Sequence, residues 1–275
     1  MAERAARTQG SGAIERHTIT WGDAAVRAPL RAIAERPPLV HCMTNIVVAG
    51  FTANVLLAIG ASPAMVENPD ESGEFAAIAS ALLINLGTLS PSVETAMRQA
   101  AAAARQAGTP WVLDPVAVGA LAHRSRLAAE LLADGPAIVR GNASEIMSLA
   151  GLEGAGGRGV DSLAASEQAI EAAAGLARRI GGAVAVSGEV DLLTDGERVF
   201  VIPGGDPLMT RVTGVGCALG AVMAACVAVA DPLEAAASAS ALFAAAGERA
   251  AETKPGPGSF AVGLLDVLCE LAATP

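Results

Sequence analysis

Short runs of apolar residues recur along the chain, separated by longer stretches in which alanine, leucine and isoleucine return every three or four positions. The first pattern predicts strands buried on both faces, and the second predicts helices with one apolar side. Strands are expected at 38–44 (PLVHCMT), 62–66 (SPAMV), 81–87 (ALLINLG), 110–116 (PWVLDPV), 136–142 (PAIVRGN) and 182–188 (GAVAVSG). Helices are expected near 46–59, 71–80, 91–107, 124–133, 143–150 and 162–180, then at 217–230, 232–252 and 259–272. This alternation argues for an α/β fold with a mostly parallel central sheet covered on both faces. One stretch breaks the rhythm. In DLLTDGERVFVIP (191–203) an Asp-Gly pair joins two β-rich runs, which predicts an antiparallel edge hairpin.

The first 20 residues, MAERAARTQGSGAIERHTIT, are charged and lack the apolar segment of a secretory signal. They are read as a disordered extension before a single domain over 21–275. Hydrophobic residues make up 52% of the 275 and charged residues 17%, ample material for a core. A net charge of −10 and the lack of tyrosine exclude the basic, aromatic face of a nucleic-acid binder. No uninterrupted apolar run reaches membrane length, so no membrane partner is expected. Cys42, Cys217, Cys226 and Cys269 form no Cys-x-x-Cys pair and read as reduced thiols of a cytoplasmic protein. His17, His41 and His123 lack metal spacing, and His41, inside an apolar strand, reads as a core histidine. GAGGRG (154–159) matches a dinucleotide fingerprint but follows a helix-like segment, so it reads as a surface loop.

Polar groups at strand ends carry more weight, because open α/β sheets bind ligands in the crevice beyond those ends. VLDPV places Asp114 after an apolar run, where it is either a turn residue or a ligand group. IVRGNASEI brings Arg140, Asn142 and Glu145 to another end; Asn142 and Glu145 have capping-box spacing, which Arg140 does not need. A carboxylate at Glu145 could also hold water around Mg²⁺. Ser187 and Gly188 close a third apolar run. In RVTGVGCALGAV, Thr213-Gly214-Val215-Gly216 crowds backbone N–H groups at the start of a helix, an arrangement suited to an anion. The chain has one lysine, Lys254, beside seventeen arginines, so no G-x-x-x-x-G-K-[ST] loop exists. Acids, an arginine, a serine and a glycine-built anion hole make a kit for phosphoryl transfer without the loop lysine.

The motifs HCMTNIVV, ASPAMV, LLINLGTL, VLDPVAVGA, IVRGNASEI, GRGVDS and TGVGCALGAV occur together and in this order, and through them the chain resembles the hydroxyethylthiazole kinases. The resemblance implies a ribokinase-like three-layer α/β/α fold and ATP- and Mg²⁺-dependent phosphorylation of 4-methyl-5-(2-hydroxyethyl)thiazole in thiamine salvage. It implies a homotrimer with active sites between subunits. By the same resemblance Arg140 and Ser187 contact ATP, and Asp114 and Glu145 organise Mg²⁺ and its waters. Met65, Asn45 and Gly214 line the thiazole pocket; Met65 by itself would read as core. Cys217 stands where the wider superfamily has an aspartate base, and is expected to accept or orient the hydroxyl proton. Other readings on the same fold are a hydroxymethylpyrimidine or sugar kinase, an ATP-dependent dehydratase, and a catalytically silent nucleotide sensor.

Overall fold

In the computed structural model, residues 15–152 and 163–275 are described. The chain runs β1 (Glu15–Thr18), α1 (Ala24–Glu35), β2 (Leu39–Met43), α2 (Ala49–Ala58), β3 (Ser62–Ala64), α3 (Pro69–Ile78), β4 (Ala81–Asn85), α4 (Pro91–Ala107), β5 (Trp111–Asp114) and α5 (Ala122–Leu131). It continues with β6 (Ile138–Asn142), α6 (Ala143–Leu149), α7 (Leu163–Ile180), β7 (Ala183–Ser187), β8 (Asp191–Thr194), β9 (Arg198–Ile202), α8 (Val215–Val227), α9 (Pro232–Thr253) and α10 (Pro257–Ala273). The strands form one nine-stranded sheet in the order β1-β9-β8-β7-β6-β5-β4-β2-β3. All neighbours pair in parallel except β7–β8 and β8–β9, so β8 alone runs against the rest.

The near-continuous apolar strands are explained by two cores, one on each face. Val40, Leu83, Val112, Ile138 and Ala185 face the layer that holds α8, α9 and α10. Leu82, Ile84, Leu113, Val139 and Val184 face α4 and α7 on the other side. Local chemistry sets the helix limits. Ser90 caps α4 through Val93 N–H, Pro91 opens it, and Gly108 in a left-handed conformation ends it.

The expected strands and helices are present, and three differences stand out. Within the stretch read as an extension, Glu15–Thr18 form β1 and pair in parallel with Arg198–Val201. The hairpin β8–β9 is therefore not the outermost element; β1 covers it. Helix α1 carries no expected counterpart, although Val26, Leu30 and Ile33 bury one face. The GAGGRG loop, the GRGVDS motif and residues 1–14 lie outside the described residues. No described helix is long and apolar enough to cross a membrane.

Candidate active site

Parallel pairing brings the carboxyl ends of β4, β5, β6 and β7 side by side, and α8 starts over them. Register sets Asn85 beside Asp114 and Asn142 beside Ser187. Asp114 is 1% exposed. Its Oδ2 accepts a hydrogen bond from Asn85 Nδ2 at 2.6 Å and lies 3.5 Å from Arg140 Nη1. Its Oδ1 is buried without a hydrogen-bond partner. Burial pushes the Asp114 carboxyl up to about 6; Glu145 pushes the same way, while Arg140 and Asn85 oppose it.

Arg140 reaches across the sheet, donating from Nε to Ser187 Oγ at 3.2 Å. Its guanidinium rests on the backbone of Gly216, in the first turn of α8. Only glycine leaves room for that contact. Gly214, the N-cap of α8, has φ 99°, and a Cβ there would stand 2.7 Å from the Val48 side chain. One turn into the helix, Gly220 lies over Leu83 and Asp114. The small residues of VGCALGAV thus let α8 sit directly on β4 and β5, with its free N–H groups beside Arg140.

Cys217 is a part-buried free thiol in that first turn. Burial pushes its pKa up and Asp114 pushes it further, while the Asn85 amide and the Arg140 guanidinium pull it down. The upward shift favours the neutral thiol over a nucleophilic thiolate.

Glu145 does what its spacing predicts. Asn142 and Glu145 close a full capping box on α6, and Glu145 Oε1 also accepts Ala117 N–H at 2.9 Å. Ala117, just past Asp114, is held at φ 63°, a left-handed conformation unusual for alanine.

A cavity of about 800 Å³ opens at the start of α8, and Arg140, Ser187, Gly188, Val215 and Gly216 line one side of it. Asp191 lines it too. Its Oδ1 accepts Gly188 N–H at 3.1 Å, and burial pushes its pKa up. Among the described residues no group of three or more His, Cys, Asp or Glu side chains could hold a metal ion alone.

The remaining expected residues occupy a neighbouring place. Asn45 accepts Val47 N–H and lies over Gly87, whose missing Cβ would stand 2.7 Å from Asn45 Nδ2. Ile46 N–H donates to Thr88 Oγ1, so the TNIVV turn and the loop after β4 interlock. Val48 connects that turn to Gly214. Met65 follows β3 at the outer edge of the sheet, one strand beyond the end of β2 that leads to Asn45, and is 37% exposed. His41 is core: Nε2 pairs with Val66 O at 2.8 Å and the ring packs edge-on to Phe75.

Asn85 and Asp191 were not among the expected site residues. Asn85 had a visible signal, a lone polar residue inside the apolar run ALLINLG.

The model of the hydroxyethylthiazole kinase family matches residues 30–274. A hydroxyethylthiazole kinase of Clavibacter sepedonicus is 59% identical over 252 residues, 91% of each chain. The solved structure of a hydroxyethylthiazole kinase protein from Pyrococcus horikoshii OT3 superposes with a TM-score of 0.82 at 40% identity, over 91% of this chain and 96% of that one. A ribokinase-like superfamily protein of Enterococcus faecalis V583, 14% identical with a TM-score of 0.64 over 98% of this chain and 99% of that one, shares the fold. The chain belongs to the hydroxyethylthiazole kinase family.

Proposed function

We propose that the protein transfers the γ-phosphoryl group of ATP to the primary hydroxyl of 4-methyl-5-(2-hydroxyethyl)thiazole, a step of thiamine salvage. The observation that carries the reading is the meeting of Arg140, Asp114 and Cys217 at the start of α8, beside a cavity of about 800 Å³. Family membership names the alcohol; the geometry is consistent with the roles proposed below.

ATP would lie in the cavity with its phosphates toward the N–H groups of Val215 and Gly216. Arg140, steadied by Ser187, supplies the side-chain positive charge that a loop lysine supplies elsewhere. Asp114 fits a role toward Mg²⁺, because its buried Oδ1 has an unused acceptor site. Glu145, with both carboxylate oxygens on backbone N–H groups, would act through water, and chiefly shapes the Ala117 turn beside Asp114. A bound Mg²⁺ would neutralise phosphate charge during transfer.

The alcohol would enter between the TNIVV turn and Gly214, with its hydroxyl at Cys217. A neutral thiol is a weak base, and phosphoryl transfer through a loose transition state asks more of positioning than of proton abstraction. Cys217 then orients the hydroxyl, whose proton would pass to an oxygen of the transferred phosphoryl group late in the reaction.

Ile46, Val47, Leu57, Met65 and Ile78 are exposed apolar residues around the end of β2, α2, β3 and α3. A second copy covering them would bury this face and bring Met65 against a pocket, as a homotrimer with sites between subunits requires. Light scattering at assay concentration tests this, and a monomer mass would refute it. The four free cysteines suit a reducing, cytoplasmic setting.

A coupled assay against the thiazole alcohol, hydroxymethylpyrimidine and ribose tests the reaction. Turnover is expected mainly on the thiazole alcohol. Preference for the pyrimidine would overturn the substrate assignment, and ATP binding without transfer to any alcohol would leave a nucleotide sensor.

A further inference from the structure

Asn85 is fully buried, where an amide is costly unless its polar atoms are paired. Its Oδ1 accepts Gly87 N–H at 2.8 Å, and this fixes which end of the amide faces which way. Nδ2 is thereby turned to Asp114 Oδ2, 2.6 Å away on the neighbouring strand. The Gly87 end of the clamp is itself held, since Gly87 O accepts Arg124 Nη2 at 2.8 Å. Arg140 approaches the same Oδ2, at 3.5 Å. Both side-chain contacts of the Asp114 carboxylate therefore fall on one oxygen, and Oδ1 is left as its unpaired acceptor.

We infer that Asn85 is a positioning residue for phosphoryl transfer: clamped by Gly87, it holds Asp114 by Oδ2 so that Oδ1 is the oxygen offered to the site. The inference rests on the reading that Asp114 takes part in the reaction. Asn85 need touch neither ATP nor the alcohol. Without its amide, the carboxylate could turn about its terminal bond and would lose a hydrogen bond to a charged group, among the stronger kinds.

The test is a double-mutant cycle of Asn85→Ala and Asp114→Asn, with kcat and both KM values measured and folding checked by thermal unfolding. Asn85→Ala is expected to lower kcat about tenfold to a hundredfold, with the KM values for ATP and the thiazole alcohol within about threefold. In the Asp114→Asn background the same substitution should lower kcat by less than about threefold more. Should Asn85→Ala fail to fold, Asn85→Leu, which keeps the volume without the amide, is read in the same way. Wild-type kcat in folded Asn85→Ala beside a crippled Asp114→Asn would overturn the role of Asn85 alone. Full multiplication of the two losses would also overturn it, because Asn85 would then act independently of Asp114. Wild-type kcat in Asp114→Asn would overturn the reading on which the inference rests.

Discussion

Arg140 and Gly216 touch: a Cβ built on Gly216 would stand 2.9 Å from Nη1 and 3.0 Å from Nη2 of the guanidinium. A methyl group there must push the side chain aside, so Gly216→Ala should imitate Arg140→Ala in part. Arg140→Ala is expected to raise KM for ATP about tenfold to a hundredfold, and Gly216→Ala less, with KM for the thiazole alcohol little changed. Steady-state kinetics on both variants checks this. An unchanged ATP KM in folded Arg140→Ala would place the guanidinium outside the nucleotide site.

Cys217→Ala should fold normally, because both residues are small, and should lose kcat by a factor on the order of a hundred or less. Cys217→Asp should keep substantially more activity than the alanine variant. Burial and Asp114 would raise the new carboxyl as they raise the thiol, but it starts several pH units lower. Wild-type kcat in the alanine variant would reduce Cys217 to packing. A dead aspartate variant beside an active alanine variant would show that the turn needs an uncharged residue.

The strands were legible because a sheet packed on both faces demands apolar residues at successive positions. Helix α4 was legible to its ends because Ser90-Pro91 and Gly108 announce them. Helix α1 was not, since Pro29 sits inside it and arginines interrupt its stripe. Strand β1 is four residues of ERHT; backbone pairing to β9, not an apolar face, makes it a strand. Arg140, Asp114 and Cys217 were marked by strand ends and by a glycine-rich turn. Asn85 escaped because its meaning depends on Asp114, 29 residues along the chain, which only the β4–β5 register brings beside it.

His41 should give the protein an acid-sensitive stability. Burial holds its pKa below the ordinary 6.5, and Nδ1 is buried without a partner. The unfolded chain therefore takes up the proton first as pH falls. The stability tied to the neutral ring is complete above about 6.5 and is lost as pH drops toward the lower folded value. His41→Gln, which cannot titrate, should have a flatter melting curve against pH over that range. Differential scanning fluorimetry from about pH 8 to 5 measures it, and parallel curves would exclude His41 as the source.

Asp114→Asn should trade activity for stability. An ionised carboxyl pushed up to about 6 by burial is expensive to hold at neutral pH, and an amide of the same shape can still accept from Asn85. Gaining even about 1 kcal/mol would raise Tm by roughly 2–4 °C in a chain of this size. A lower Tm would mean that the hydrogen bonds of the charged form outweigh its burial.

The two borders of the sheet have a consequence for how this apolar chain behaves in a crowd. At one border β3 is three residues long and its centre is Pro63, which has no N–H to donate. At the other, β1 carries Glu15, Arg16 and His17, and Arg16 is tied to Glu167 at 2.5 Å. A stray strand arriving at either side meets a short, charged or donor-poor template, so the sheet ends where it should instead of recruiting further chains.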